Sequence, residues 1–260
     1  MKYIDIHGHV NFPDFDADRT EVIARAKVLG VGMITIGCDV ESSKKAVELA
    51  ETNENMWAIV GIHPTDAHTD LNDTKDLEIL KELATHPKVV AIGECGLDYF
   101  HGKAEDMQRQ REIFHWHIEL ANKLNKPLML HVRNGKDASV NAYQEAIAIL
   151  KEKAKVHANF HFFAGTIQDA RDIIAMGNTI SFTGVLTFAF NYNDTVREMP
   201  LENIMSETDC PFVAPAPYRG KRNEPSYVIE TVKKIAEIRK TGEAEVAAQL
   251  LKNARTFFNI

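Results

Sequence analysis

The chain has 260 residues, of which 45% are hydrophobic, 26% charged and 8% aromatic. This composition is typical of a globular protein and excludes a disordered or fibrous one. The 30 Lys and Arg against 37 Asp and Glu leave a formal charge of −7, which argues against broad electrostatic wrapping of DNA.

Short β-rich runs alternate with helical patterns along the whole chain. Eight strands are predicted, over Lys2–Ile6, Gly32–Gly37, Trp57–Ile62, Val89–Glu94, Leu128–Val132, Ala158–Phe163, Thr179–Thr183 and Ile204–Thr208. Dividing 260 residues by eight gives about 32, which fits one strand, its helix and two loops. The pattern predicts an α/β protein, a single (β/α)8 TIM barrel over residues 1–260. A doubly wound open sheet is the alternative, but no Gly-x-Gly-x-x-Gly follows the first strand.

Helices are predicted from hydrophobic period, beginning with Asp16–Leu29 and Glu41–Thr52. The last helix, from Val246 to Phe258, should close the C-terminal side of the barrel wall. No apolar stretch reaches the roughly 20 residues of a membrane helix, and the first residues lack a signal-peptide pattern. We therefore expect a cytoplasmic protein with neither a membrane nor an obligate protein partner. Its three widely spaced cysteines are expected to be small buried hydrophobes.

The first strand ends in Asp5-Ile6-His7-Gly8-His9, where two histidines two residues apart project to the same side of an extended chain. Such a pair can share one metal ion. In a barrel the carboxyl ends of the strands form the active-site face, so His7 and His9 are placed there. A His-x-His pair is common by chance, so this pair alone does not establish a metal site.

Four further metal-competent side chains fall at the ends of other predicted strands. They are Glu94, His131, His161 and Asp209, on strands four, five, six and eight. Unpaired ionisable groups are rare in strands buried on both faces, because burying a charge without a partner is costly. The six groups fit two divalent ions bridged by a carboxylate and a water or hydroxide.

Other polar residues are assigned from their position. His63, at the end of strand three, faces the same rim and is predicted to contact substrate or transfer a proton. Asp5 and Glu207 can either accept imidazole N–H bonds from the ligands or pair inside the barrel. His117 shares an apolar stripe and is predicted to pack against the barrel as a hydrogen-bonded histidine. The tryptophans and the Phe182–Phe190 cluster are assigned to the core.

Seven segments together resemble the TatD family of metal-dependent hydrolases, essentially from Tyr3 to Phe258. The matching segments are Asp5-Ile6-His7-Gly8-His9, Gly61-Ile62-His63-Pro64, Gly93-Glu94-Cys95-Gly96-Leu97-Asp98-Tyr99, His131-Val132-Arg133, His161-Phe162-Phe163-Ala164-Gly165, Glu207-Thr208-Asp209-Cys210-Pro211 and Pro217-Tyr218-Arg219-Gly220-Lys221-Arg222-Asn223-Glu224-Pro225. The chain departs from the family pattern at Thr65, where a second histidine is usual. It also has Phe162 and Ala164 where Cys and Ser are common.

The resemblance implies a ligand set and an activity. By resemblance His7, His9, Glu94 and Asp209 hold one metal, Glu94 bridges, and His131 and His161 hold the second. The ions are expected to be Mg, Zn or Mn. The family is described as acting on DNA, often as a nuclease that trims from the 3′ end, so the expected substrate is DNA that is single-stranded or has free ends.

A basic loop supports contact with phosphate. From Pro217 to Lys240 seven Lys or Arg stand against three Glu, a local balance of +4 within a chain of −7. Arg219, Lys221 and Arg222 are predicted to bind phosphates, largely because of the motif match. Arg133 can pair with either Asp98 or a phosphate.

We expect the protein to hydrolyse DNA phosphodiester bonds, specifically as a 3′-5′ exonuclease. A metal-activated hydroxide is the expected nucleophile, and Asp209 is the expected general base. One alternative is metal-dependent hydrolysis of a small amide, lactone or aminoacyl ester on the same barrel. A second is a non-catalytic interaction protein, against which the intact ligand set argues.

Overall fold

Eight parallel strands form one sheet in the order of the chain, which confirms the predicted (β/α)8 barrel. The computed structural model describes residues 1–67, 73–102, 106–137 and 140–260. The strands are β1 (Tyr3–Gly8), β2 (Val31–Ile36), β3 (Met56–Val60), β4 (Val89–Asp98), β5 (Leu128–Arg133), β6 (Ala158–Phe160), β7 (Thr179–Phe182) and β8 (Ile204–Ser206). Consecutive strands pair directly, so their carboxyl ends lie on one face.

The helices follow the strands around the outside of the barrel. In the described part of the chain they are α1 (Arg19–Val28), α2 (Val40–Thr52), α3 (Asp73–Leu83), α4 (Asp106–Leu124), α5 (Ala142–Lys153), α6 (Ile167–Ala175), α7 (Asn193–Glu198), α8 (Val228–Arg239) and α9 (Glu243–Phe258). None of these helices combines the length and the apolar character that a membrane crossing requires.

Asp5 closes the seam between β8 and β1. Its Oδ1 accepts the backbone N–H of Thr208 at 2.8 Å and of His7 at 3.3 Å, and its Oδ2 accepts the Thr208 hydroxyl at 2.5 Å. Beyond the strands, Asp209 N–H donates to the His7 carbonyl at 2.8 Å, and His9 N–H to the Cys210 carbonyl at 2.7 Å. Asp5 is fully buried. Its contacts run along the backbone across the seam and not to an imidazole ring.

Apolar side chains from six strands fill the barrel interior. The cluster joins Ile4, Ile6, Ile34, Ile36, Ile59, Ala91, Met129 and Met205 with Ala254 and Phe258 of α9. Residues from strands all around the sheet can meet only inside the barrel. α9 therefore packs against the wall, as predicted, and its last turns also reach the interior cluster.

All eight strands end at residues other than those predicted, and three of these differences concern the site. β1 continues to Gly8 and β4 to Asp98, so that His7 and Glu94 lie inside strands, whereas β6 stops at Phe160, just before His161. The long β4 requires glycine at Gly96: its φ is +134°, and a Cβ there would lie 2.2 Å from the His131 carbonyl oxygen. The apolar pattern alone does not report this close approach of β4 and β5.

Candidate metal centre

The six side chains expected to bind metal come together at the carboxyl ends of the strands. β1 and the residue after it carry His7 and His9, β4 carries Glu94, and β5 carries His131. His161 directly follows β6, and Asp209 follows β8 with a φ of +55°, a strained conformation that recurs at functional sites. All except His7 line a cavity of about 540 Å³. Their role as ligands stays a prediction.

The first group of donors lies on one side of Glu94. His7 Nε2 is 3.3 Å from Glu94 Oε2 and 3.7 Å from Asp209 Oδ1. His9 Nε2 is 3.3 Å from Asp209 Oδ1 and 3.8 Å from Glu94 Oε2. Two imidazole nitrogens therefore converge with two carboxylate oxygens, as the resemblance implied for one ion.

The second group faces the other oxygen of the same carboxylate. Glu94 Oε1 is 2.8 Å from His161 Nε2, 3.2 Å from His131 Nδ1 and 3.5 Å from His63 Nε2. Among the residues that the structure describes, donor atoms close enough to share an ion occur in three sets: His7, His161 and Asp209; His7, His9 and Glu94; and His63, Glu94 and His131. His63 thus lies within reach of the second ion as well as of a substrate.

Partners on the outer side of the rings aim the inner nitrogens at Glu94. His9 Nδ1 faces the Ile36 carbonyl at 3.1 Å, and His131 Nε2 faces Asp98 Oδ2 at 2.9 Å. The Ile36 carbonyl and the ionised Asp98 carboxylate can only accept hydrogen bonds. Each outer nitrogen therefore carries the proton, and the inner nitrogen presents a lone pair. This is the arrangement of metal-binding histidines.

The electrostatics agree with a cation site. Burial and the neighbouring His161 lower the pKa of His7 to about 4, and burial with the nearby His131 lowers that of His63 to about 3. Burial alone would raise the pKa of Glu94, but the surrounding imidazoles, His161 foremost, hold it well below its ordinary value. Burial alone would also lower the pKa of His161, but Glu94 and Glu207 hold it well above its ordinary value, and neighbouring carboxylates raise the pKa of His9 and His131 against the effect of burial. The carboxylates thus stabilise positive charge at the centre of the site, which a divalent ion can supply.

His7 provides a direct test of whether a metal fits. Its Nε2 is buried and forms no hydrogen bond within the described residues, although Glu94 Oε2 lies 3.3 Å away. A buried polar nitrogen without a partner is costly unless another group uses its lone pair. A divalent ion fits this position, and the imidazole and carboxylate donors suit it.

A buried polar network fixes His161. Glu207 Oε1 accepts the backbone N–H of Phe162 at 2.6 Å and lies 3.4 Å from His161 Nδ1. Ser181 donates to Glu207 Oε2 at 2.7 Å, and Asn159 donates to Ser181 at 2.8 Å. Glu207 thus holds the backbone next to His161, whereas His161 Nδ1 itself forms no hydrogen bond within the described residues. Sequence reasoning missed Asn159 and Ser181, although Asn159 shares strand parity with His161.

Arg133 lies on the cavity wall and does not pair with Asp98. Asp98 Oδ2 contacts His131 Nε2 and His101 Nδ1, each at 2.9 Å. The Arg133 guanidinium instead lies 5.1 Å from the ring centre of Phe100. Of the two partners considered for Arg133, a phosphate is the one that this arrangement leaves available.

Thr65 orients the His63 ring. Its hydroxyl lies 2.6 Å from His63 Nδ1, and its backbone N–H donates to the same nitrogen at 3.2 Å. Since that N–H can only donate, Nδ1 accepts, and the neutral ring carries its proton on Nε2, towards Glu94. The departure from the family pattern thus preserves an oriented histidine.

The basic loop differs from expectation. Arg219, Lys221 and Arg222 do not line the cavity around the histidines. Arg222 donates to the Asp14 carbonyl at 2.6 Å and to Asp18 Oδ2 at 2.7 Å, so its guanidinium ties the loop to the segment after β1. Arg222 thus has partners within the protein, and phosphate binding by its guanidinium stays a prediction. Arg219 and Lys221 are exposed.

Aromatic residues and one cysteine near the cavity also differ from expectation. Phe182 is buried, but Phe188 and Phe190 are 38% and 66% exposed, so assigning the whole cluster to the core was wrong.

Cys38 is only half-buried and lines the cavity, with its Sγ 3.6 Å from Glu94 Oε2. Cys95 and Cys210 are buried as predicted. His117 is buried and accepts the Ile62 N–H at 3.0 Å, as predicted.

A parallel (β/α)8 barrel with histidines and carboxylates converging at the carboxyl ends of its strands defines the class of barrel proteins with a metal-binding rim. Residues 4–259 match the sequence model of the family described as TatD related DNase. The chain belongs to this family.

Relatives match over nearly their whole length. An uncharacterized metal-dependent hydrolase of Bacillus subtilis, YabD, is 39% identical over 98% of this chain and 98% of its own. An uncharacterized metal-dependent hydrolase of Mycobacterium tuberculosis, TatD, is 34% identical over 99% and 98%. The crystal structure of YJJV, a TatD homologue of Escherichia coli, superimposes with a TM-score of 0.89 at 29% identity, covering 100% of this chain and 98% of that one.

Proposed function

We propose that the chain is a divalent-metal-dependent hydrolase that cleaves DNA phosphodiester bonds, as a 3′-5′ exonuclease acting on single strands or free ends. Family membership and the names of the relatives support metal-dependent hydrolysis. The observation that carries the proposal is the position of Glu94, whose two oxygens face two different groups of imidazole nitrogens. This position suits a carboxylate that bridges two ions.

In this proposal His7, His9, Glu94 and Asp209 would hold one ion, and His131, His161 and Glu94 would hold the other. Bound divalent ions would supply Lewis acidity to the phosphate and to an attacking water. The nitrogen-rich donor set favours a transition metal such as zinc over magnesium, which prefers oxygen ligands.

The chain's own residues supply orientation and proton transfer. We assign Asp209 as the general base, because its Oδ1 faces the histidines and its carboxylate borders the cavity, where Oδ2 can accept the proton of a water. His63 presents its Nε2 proton towards the centre and can donate a hydrogen bond to a phosphate oxygen. Arg133, on the cavity wall, adds positive charge for the phosphate.

The test is hydrolysis of single-stranded DNA labelled at either the 3′ or the 5′ end, with and without chelator and metal add-back. We expect metal-dependent release of nucleotides from the 3′ end. Asp209→Asn should lower kcat by at least about 100-fold, consistent with loss of a general base. Asp194→Asn, a matched change of an exposed carboxylate on α7, should have no effect.

The same experiment includes a panel of lactones, small amides and aminoacyl esters. Turnover of one of these, with no release of nucleotides, would replace DNA as the substrate and keep the metal-dependent chemistry. No turnover of any substrate by metal-loaded protein would favour a non-catalytic interaction protein.

A further inference from the structure

Exposed phenylalanines lie on the two loops that follow β7 and β8, and one of them, Phe212, lines the cavity. Within the described residues, four of the six exposed large hydrophobic side chains lie on the two loops that follow β7 and β8. They are Phe188, Phe190, Phe212 and Val213, with Phe190 at 66% and Phe212 at 47% exposure. With Arg219 and Lys221 they form what we call the β7–β8 rim. A group of exposed aromatic rings is uncommon on a protein surface without a binding role.

The two loops form one continuous surface with the cavity. The backbone N–H of Ala216 donates to the Thr187 hydroxyl at 2.9 Å, which joins the loop after β8 to the loop after β7. Phe212 and Val213 themselves line the cavity. A chain leaving the metal centre on this side would therefore pass over the β7–β8 rim.

Each ring after β7 has a cation beside it. The Arg219 guanidinium carbon lies 4.0 Å from the centre of the Phe188 ring, and the Arg219 side chain donates to the Ala214 carbonyl at 2.7 Å. Lys234 Nζ lies 5.8 Å from the centre of the Phe190 ring and is paired with Glu237 Oε1 at 2.7 Å. The charge of Arg219 beside Phe188 contrasts with the net charge of −7 of the whole chain.

Rings next to cations are what proteins use to bind single-stranded nucleic acid. Bases stack on aromatic faces, and the cations contact the backbone between them. In duplex DNA the bases are stacked on one another and cannot reach the rings. Charge complementarity favours a phosphate chain over an uncharged apolar partner.

We propose that the β7–β8 rim is a base-stacking surface that guides a single strand of DNA into the metal cavity. This inference rests on the proposed function and adds to it that the bases, besides the phosphates, are bound. The rim then selects single strands, and duplex ends would have to open before cleavage.

The test compares two phosphorothioate-protected strands of equal length and charge, oligothymidylate and an abasic strand, by fluorescence anisotropy with the metal-loaded protein. The wild type should bind oligothymidylate on the order of 100-fold more tightly than the abasic strand, because the two rings each contribute about tenfold. Phe188→Ala and Phe190→Ala should each weaken oligothymidylate binding on the order of tenfold and leave binding of the abasic strand unchanged.

Two further variants separate stacking from charge. Arg219→Gln should weaken both strands and reduce the salt slope by about 0.7, the contribution of one phosphate contact on a single strand. Val28→Ala with Leu29→Ala, exposed apolar residues at the end of α1, should change neither.

Equal affinity of the wild type for the two strands would overturn the proposal, and so would unchanged binding by the phenylalanine variants. A shift from dimer to monomer on sedimentation of those variants, with DNA binding unchanged, would show a contact between copies instead. Base-dependent binding without any cleavage of end-labelled DNA would refute the proposed nuclease and leave the rim as a DNA-binding surface. Cleavage without base-dependent binding would refute the rim alone.

Discussion

Replacing Asp5 tests whether the seam between β8 and β1 holds the metal centre together. The seam joins the strand that carries His7 to the segment that carries Asp209. Asp5→Ala would remove the acceptor of three hydrogen bonds, from two backbone N–H groups and the Thr208 hydroxyl. The hydroxyl can turn to another acceptor, whereas the two buried N–H groups cannot.

Each unsatisfied buried N–H costs about 1–3 kcal/mol, so we expect Asp5→Ala to lower the free energy of unfolding by about 2–6 kcal/mol. Asp5→Asn is the matched control. It keeps Oδ1, which accepts both N–H groups, and should cost about 1 kcal/mol or less.

The assay is equilibrium unfolding in urea, followed by the fluorescence of Trp57 and Trp116, in the presence of chelator so that metal binding does not contribute. A cycle with Thr208→Val isolates the hydroxyl contact, because the bond from the Thr208 hydroxyl to Asp5 Oδ2 is the one bond that both variants remove, and its contribution should not add. Asp5→Ala within about 1 kcal/mol of Asp5→Asn would refute this account of the seam.

Three other variants probe the local chemistry. Burial lowers the pKa of His117 from 6.5 to about 4, so the unfolded chain binds one more proton between these values. Stability should therefore fall by about 3 kcal/mol as the pH drops through this window, and His117→Gln should remove that dependence in urea titrations at several pH values; an unchanged slope would contradict it. Gly96→Ala should cost about 2 kcal/mol or more in thermal unfolding, since its Cβ would contact the β5 backbone, whereas Gly242→Ala, with open space around it, should be nearly neutral. Thr65→Val should lower kcat by freeing the His63 ring and Thr65→Ser should not; equal kcat values in the two variants would remove Thr65 from the mechanism.

The barrel and the positions of the six donors were predictable because their signals are local. An apolar run that ends in His7, His131 or Asp209 marks both a strand and its carboxyl end. Parallel strands then bring those ends to one face without further information.

Contacts across the fold were not predictable. Arg222 binds Asp18, which precedes it by 204 residues, and no local pattern marks that pair. The exposure of Phe188 and Phe190 depends on how the loop after β7 leaves the barrel, whereas an aromatic cluster in sequence favours a core assignment. The approach of Cys38 to Glu94 likewise depends on the register of β2 and β4 around the barrel.

Anomalous diffraction from crystals of the metal-loaded protein, recorded at the absorption edge of the bound metal, tests the central claim most directly. The account predicts two anomalous peaks, one on each side of the Glu94 carboxylate, the first contacting His7 and His9 and the second contacting His131 and His161. A single peak, or peaks away from Glu94, would contradict a pair of ions bridged by this carboxylate.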